Sequence, residues 1–128
     1  MKSFLIAAVL LATLGFAPAG SKIVVGIKDG KPAPQNADVQ SRKVDTVYFQ
    51  NSDSVSYEIV FTDKTNGSPF QAPGTLKEKS KISLAAFRPP SGPFKVHDLA
   101  KPGKYPYDVM AVRNGKTTRA GGGSVIVE

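Results

Sequence analysis

Cysteine is absent from all 128 residues. Its absence excludes disulfides and every mechanism that needs a thiolate, so stability has to come from packing and hydrogen bonding. Histidine occurs once, at His97. No H-E-x-x-H, G-x-S-x-G or phosphate-binding loop is present, which removes the local signatures of zinc proteases, serine hydrolases and nucleotide-binding enzymes. The carboxylates Asp29, Asp38, Asp45, Asp53, Glu58, Asp63, Asp98 and Asp108 are scattered and form no local acid/base pattern. Internal repeats and helical periodicity are also missing. Beyond residue 19 no segment approaches the ~20 apolar residues of a membrane-spanning helix.

What is present begins with "MKSFLIAAVLLATLGFAPAG". One lysine, an apolar stretch from Phe4 to Leu14 and the small-residue end Ala17-Pro18-Ala19 make a secretory signal, with cleavage expected after Ala19. Residues 1–19 are therefore expected to be removed, leaving a single exported domain of residues 20–128, periplasmic or secreted. Without Lys2 the chain keeps 16 basic against 10 acidic side chains, a formal charge of +6. A balance of that sign favours acidic proteins, polyanionic polymers or anionic membrane surfaces. The lysines are spread along the chain without aromatic interleaving, so nucleic acid is not an expected partner.

The rest reads as all-β. "SKIVVGI" is a β-branched run closed by "KDGKPAP", where Pro32 and Pro34 are expected to exclude regular ladder pairing. "KVDTVYFQN" and "SVSYEIVFTD" are two strands joined by a polar turn. In the second, Val55, Tyr57, Ile59 and Phe61 line one face, as in a strand covered on one side. Residues 63–74 form a surface loop whose Asn66-Gly67-Ser68 has glycosylation-acceptor spacing. In "TLKEKSKISL", Lys77, Lys79 and Lys81 share one face and Ile82 and Leu84 the other. "AAFRPPSG" holds at most a turn of helix, "PFKVHDL" is a strand carrying His97 beside Lys95 and Asp98, and Pro102-Gly103 suit a type II turn. "GKYPYDV" and "SVIVE" complete about seven strands, a two-sheet Greek-key β-sandwich. Its expected core is Phe49, Ile59, Phe61, Ile82, Phe94, Val96, Tyr105, Tyr107, Val125 and Val127.

These residues carry a resemblance. "DTVYFQNSDSVSYEIVF" resembles the cupredoxin strand pair in which an F-x-N-x turn leads to a histidine; "PGKYPYDV" resembles that family's P-G-x-Y-x-Y-x-C; "GGGSVIVE" resembles its M-x-G-x-hydrophobic ending. The similarity to these small blue copper proteins, of the plastocyanin and azurin type, runs from Ile23 to Glu128. It implies a cupredoxin-like sandwich whose ligand positions hold other residues. Tyr57 stands for the first histidine, Val109 for the cysteine, a position near Val112 for the second histidine, and Gly121 or its neighbour for the methionine. A type 1 site needs two imidazoles and a thiolate, which one histidine and no cysteine cannot supply. No cofactor is therefore expected.

The leading expectation is a non-enzymatic recognition or accessory domain acting through a basic face: Lys77, Lys79 and Lys81 on one strand, Arg113, Lys116 and Arg119 around a charged loop. The glycines 121–123 are expected to form a mobile or tightly turning loop in place of a ligand loop; the competing reading is an anion site made by their backbone N–H groups beside those cations. The alternative is electron transfer or metal handling, with copper held at an atypical site by Tyr57, His97, Met110 and an acidic group.

Overall fold

The computed structural model describes residues 20–72 and 81–128. The expected signal sequence, Lys77, Lys79 and the start of their strand lie outside the described residues. Nine strands and no helix make up what is described: β1 Lys22–Lys28, β2 Lys31–Ala33, β3 Asn36–Val39, β4 Thr46–Asn51, β5 Ser56–Phe61, β6 Lys81–Leu84, β7 Ser91–Phe94, β8 Gly103–Arg113 and β9 Lys116–Val127. They form two sheets, ordered β2-β1-β4-β7 and β3-β9-β8-β5-β6. The fold is an all-β sandwich. Its chain crosses between sheets repeatedly, so β1 pairs with β4, and β3 with β9, in parallel. Antiparallel neighbours distant in sequence, β4 with β7 and β5 with β8, give the Greek-key crossing.

Alternation decides which side of each strand is inside. β4 and β5 bury every second residue, placing Val47, Phe49 and Asn51 from one sheet against Tyr57, Ile59 and Phe61 from the other. Five rings close a cycle between the sheets. Phe49 meets Phe94 and Tyr107 edge-on at 6.1 and 5.7 Å, Phe61 meets Tyr107 and Phe70 at 5.6 and 5.9 Å, and Phe70 meets Phe94 at 5.4 Å. Edge-to-face contacts of this kind add about 0.5–1.5 kcal/mol each beyond the burial of the rings themselves. Eight of the ten expected core residues are buried, while Ile82 and Phe94 pack against the core half-buried.

Three local expectations need correction, and one strand has no local signature. Pro32 does enter a ladder, opposite Ile27, because β2 is a three-residue edge strand whose outer side needs no N–H donor. β3, with Ala37 and Val39 buried, lies in a stretch too short and polar for its period to be read. "PFKVHDL" ends as a strand at Phe94, so His97 sits in the following turn. There its N–H donates to the Pro69 carbonyl at 2.8 Å and its Nδ1 accepts the Leu99 N–H at 3.0 Å, satisfying the backbone without a ladder. Gly103 has φ 143°, far from a type II turn, and opens β8 instead. Two positions on, the Tyr105 hydroxyl donates to the Lys101 carbonyl at 2.7 Å, tying the strand to its approach loop as a tyrosine corner does.

Candidate functional site

Three connections meet at one end of the sandwich, and a polar hub joins them. Asn51, 2% exposed, donates its amide to the carbonyls of Val55, Leu84 and Ala85 at 2.7, 3.3 and 3.2 Å. Its Oδ1 accepts the Asp53 N–H at 2.8 Å, the geometry of an Asx turn. Asp53 Oδ2 in turn accepts the Tyr57 hydroxyl at 2.7 Å and the Gly30 N–H at 3.4 Å, while its carbonyl accepts the Phe87 N–H at 3.1 Å. The β1–β2 turn, the β4–β5 turn and the β6–β7 loop are thus held by two short polar side chains.

Tyr57 is a hydrogen-bond donor in this hub. Burial, followed by the hydrogen bond to Asp53 and the charges of Asp53 and Asp29, pushes its phenol up to about 12, against a smaller opposing pull from Arg113. A phenolate ligand would have to give up that hydrogen bond and ionise beside a carboxylate. Of the other positions expected to match copper ligands, Val109 and Gly121 lie on its face of the sheet and Val112 does not. Val109 is fully buried in mid-strand, opposite Ile59 and Gly121. Val112, paired with Ser56, alternates to the opposite face of the sheet from Tyr57 and Val109. These residues do not fit a type 1 copper ion: the side chains at the four positions are an aliphatic pair, a glycine and a protonated phenol already committed to Asp53.

The glycines are not a loop. β9 runs unbroken through Gly121–Gly123, with a bulge opposite Val109/Met110 that leaves Ala120 as the extra residue. Their reason is close approach. A Cβ on Gly121 would collide with the Gly30 carbonyl oxygen, and one on Gly123 with the Gln35 carbonyl oxygen and, at 2.7 Å, the Tyr107 hydroxyl. Gly121 and Gly123 therefore let the β1–β2 turn and the Gln35 segment lie directly on the β9 backbone. The chain reverses instead at Asn114-Gly115, with φ 51° and 77°, the two positive angles of a type I′ hairpin turn.

The remaining candidates are dispersed. Met110 lies half-buried on the outer face, between Glu58 and Arg119. His97 belongs to the approach to β8, at the Tyr105 end, whereas Tyr57 pairs with Ala111 near the far end of that strand. The proposed metal set Tyr57, His97 and Met110 is not brought together, and no group of three or more His, Cys, Asp or Glu that could hold a metal occurs among the described residues. The cations divide as well. Arg119 pairs with Asp108 at 2.9 Å on an outer face where Lys81, Lys104 and Arg119 alternate with Asp38, Glu58 and Asp108. Among the described residues that face carries three charges of each sign. Arg113 and Lys116 face each other, exposed, across the hairpin tip. The Asn66 amide donates to Asp63 at 3.2 Å inside a turn, and Ser68 of the same acceptor triplet is buried.

Phe87 was not singled out by its sequence. It is 68% exposed and holds φ 51°, a left-handed conformation uncommon for a bulky side chain. The neighbouring Pro89-Pro90 is the local signal, since it denies "AAFRPPSG" a helix and leaves the backbone to the hub. Exposed Arg88 follows it, and Arg113 is close enough to pull on the Tyr57 phenol, so Phe87, Arg88, Arg113 and Lys116 share one end of the molecule.

No protein family and no curated protein matches the chain. Among solved structures it is similar to reduced amicyanin, a proline-to-phenylalanine mutant, with 22% identity and a TM-score of 0.44 over 84% of this chain and 82% of that one.

Proposed function

We propose that the chain is an exported, non-enzymatic, cupredoxin-like domain without a type 1 copper site, acting by surface recognition of an acidic protein or polyanion. The observation that carries this reading is Phe87. A residue held in a sparsely populated backbone region costs on the order of 1–3 kcal/mol and persists only where its surroundings over-determine it. Here the surroundings are the Asn51–Asp53–Tyr57 hub, and what they hold outward is an aromatic ring next to Arg88, with Arg113 and Lys116 on the adjacent hairpin. Aromatic and arginine side chains are the enriched anchors of protein interfaces. A rigid platform presenting them gives up little entropy on binding.

The test is a low-salt pull-down from the exported fraction with the unmodified protein, Phe87→Ala and Arg113→Glu. A salt-sensitive partner retained by the first and lost by both variants is expected. No partner at low salt, or one indifferent to both substitutions, would remove the hairpin end from consideration.

A further inference from the structure

Three large apolar side chains stand exposed among the described residues, and the most exposed, Leu99 at 70%, lies in the turn before β8 rather than at the hairpin end. Its surroundings hold it there. The Leu99 N–H donates to His97 Nδ1 at 3.0 Å, the next N–H, of Ala100, donates to the His97 carbonyl at 3.0 Å, and buried Ala100 pins the turn to the core. Arg42 reaches in from the β3–β4 connection and donates Nη1 to the carbonyls of His97 and Asp98 at 3.0 and 2.8 Å. Lys95 donates Nζ to the Lys43 carbonyl at 2.8 Å, and exposed Lys101 follows two residues after Leu99. Arg42, Lys43, Lys95 and Lys101 therefore gather about one aliphatic knob. Of the nearby carboxylates, Asp98 is exposed, Asp45 turns inward to accept the N–H groups of Ser21, Gln40 and Ser41, and Asp63, which with Arg42 acts on the Tyr105 phenol, is held by the N–H groups of Thr65 and Asn66.

We propose that this turn docks on an anionic membrane surface, with Leu99 entering the interface and the four cations engaging lipid phosphates. Charge complementarity points to an anionic partner, and the side-chain types choose among anionic partners. Leucine is under-represented among protein-interface hot spots, whereas leucine beside lysine and arginine is the composition of interfacial membrane anchors. Lysines lay their apolar stems along such a boundary while their ammonium groups stay with the headgroups. The surface is separate from the recognition end, so either can fail alone.

The chain contains no tryptophan, which makes a single indole a clean reporter. In the full chain, Leu99→Trp is titrated with vesicles of phosphatidylcholine mixed with phosphatidylglycerol, with phosphatidylcholine alone, and with polyglutamate. Phe87→Trp serves as the probe at the opposite end, and both carriers are exposed sites whose replacement leaves the core intact. The expected result is a blue shift and protection from acrylamide for the Leu99→Trp indole with the mixed vesicles only, and no response of the Phe87→Trp indole to either kind of vesicle. Each of Lys43→Ala, Lys95→Ala and Lys101→Ala in the Leu99→Trp background should weaken vesicle binding about fivefold, from about 1 kcal/mol per cation. No shift with Leu99→Trp, an equal shift with Phe87→Trp, or an equal shift with polyglutamate would overturn the proposal; the last would assign the turn to an acidic protein instead.

Discussion

Three tyrosines are buried in this sandwich, and two of them, Tyr57 and Tyr107, differ in what the hydroxyl meets. Tyr57 donates to Asp53, and its folded pKa of about 12 lies above the ordinary value of 10.0. Between those values the unfolded chain releases a proton that the folded chain keeps, so the stabilisation is complete below pH 10 and is lost as pH rises toward 12. Tyr57→Phe should flatten that alkaline decline in urea-melt stability; an unchanged slope between pH 10 and 12 would mean that the phenol does not keep its proton. Tyr107 is also pushed up by burial, yet its hydroxyl finds no partner among the described residues. A buried unpaired hydroxyl costs about 1–3 kcal/mol, so Tyr107→Phe should raise stability by about 1 kcal/mol while keeping the ring in its aromatic cycle. Tyr107→Ala, which opens that cycle, should instead cost about 3–5 kcal/mol. The pair separates the ring from its oxygen, and denaturant midpoints at neutral pH read the difference. Alternation alone placed both rings inward, but nothing in "SVSYEIVF" or "GKYPYDV" shows which hydroxyl is paired. The partner of Tyr57 lies on a turn, and the Tyr107 hydroxyl comes to rest against a glycine.

At the scale of elements, glycine carries opposite meanings in β1 and β9. Gly26 in β1 has ordinary space for a methyl group, since the nearest atom to a Cβ at that position would be the Ala33 carbonyl oxygen at 3.9 Å. Gly121 in β9 has none, because the β1–β2 turn rests on it. Gly26→Ala should therefore be neutral or stabilising by about 0.4–1 kcal/mol through the unfolded chain. Gly121→Ala should cost about 1–3 kcal/mol by forcing the turn off β9. Matching changes in the two midpoints would remove the close-approach reading of the glycine run. The strands with long alternating patterns, β4, β5 and β8, were legible because period two is a local property. The glycine run was not, since three residues without side chains look alike whether they turn freely or lie beneath another segment. "PFKVHDL" misled for the converse reason: its apolar residues alternate as in a strand, but Val96 reaches the core from a turn tied to Pro69.

For the whole molecule, the question is whether the end that carries Tyr57 and Val109 takes up copper in solution. Specific binding to the folded state at a hundredfold excess over the dissociation constant contributes about 2.7 kcal/mol, which for a domain of this size raises the thermal midpoint by roughly 10 °C. Such a response requires preformed donors. At this end Val109 and Ile59 pack in the core, Tyr57 is engaged by Asp53, Val112 faces away, and the single imidazole lies near the other end of β8. Excess copper should therefore leave the thermal midpoint unchanged, and Val109→Cys alone should not produce a blue chromophore, because the imidazoles would still be missing. Combining Tyr57→His, Val109→Cys, Val112→His and Gly121→Met would place polar groups in a packed region and break the Asp53 hub, lowering the metal-free midpoint. A saturable upward shift of the unmodified protein with one equivalent of copper would show instead that Tyr57 releases Asp53 to take a metal, and would put metal handling ahead of recognition.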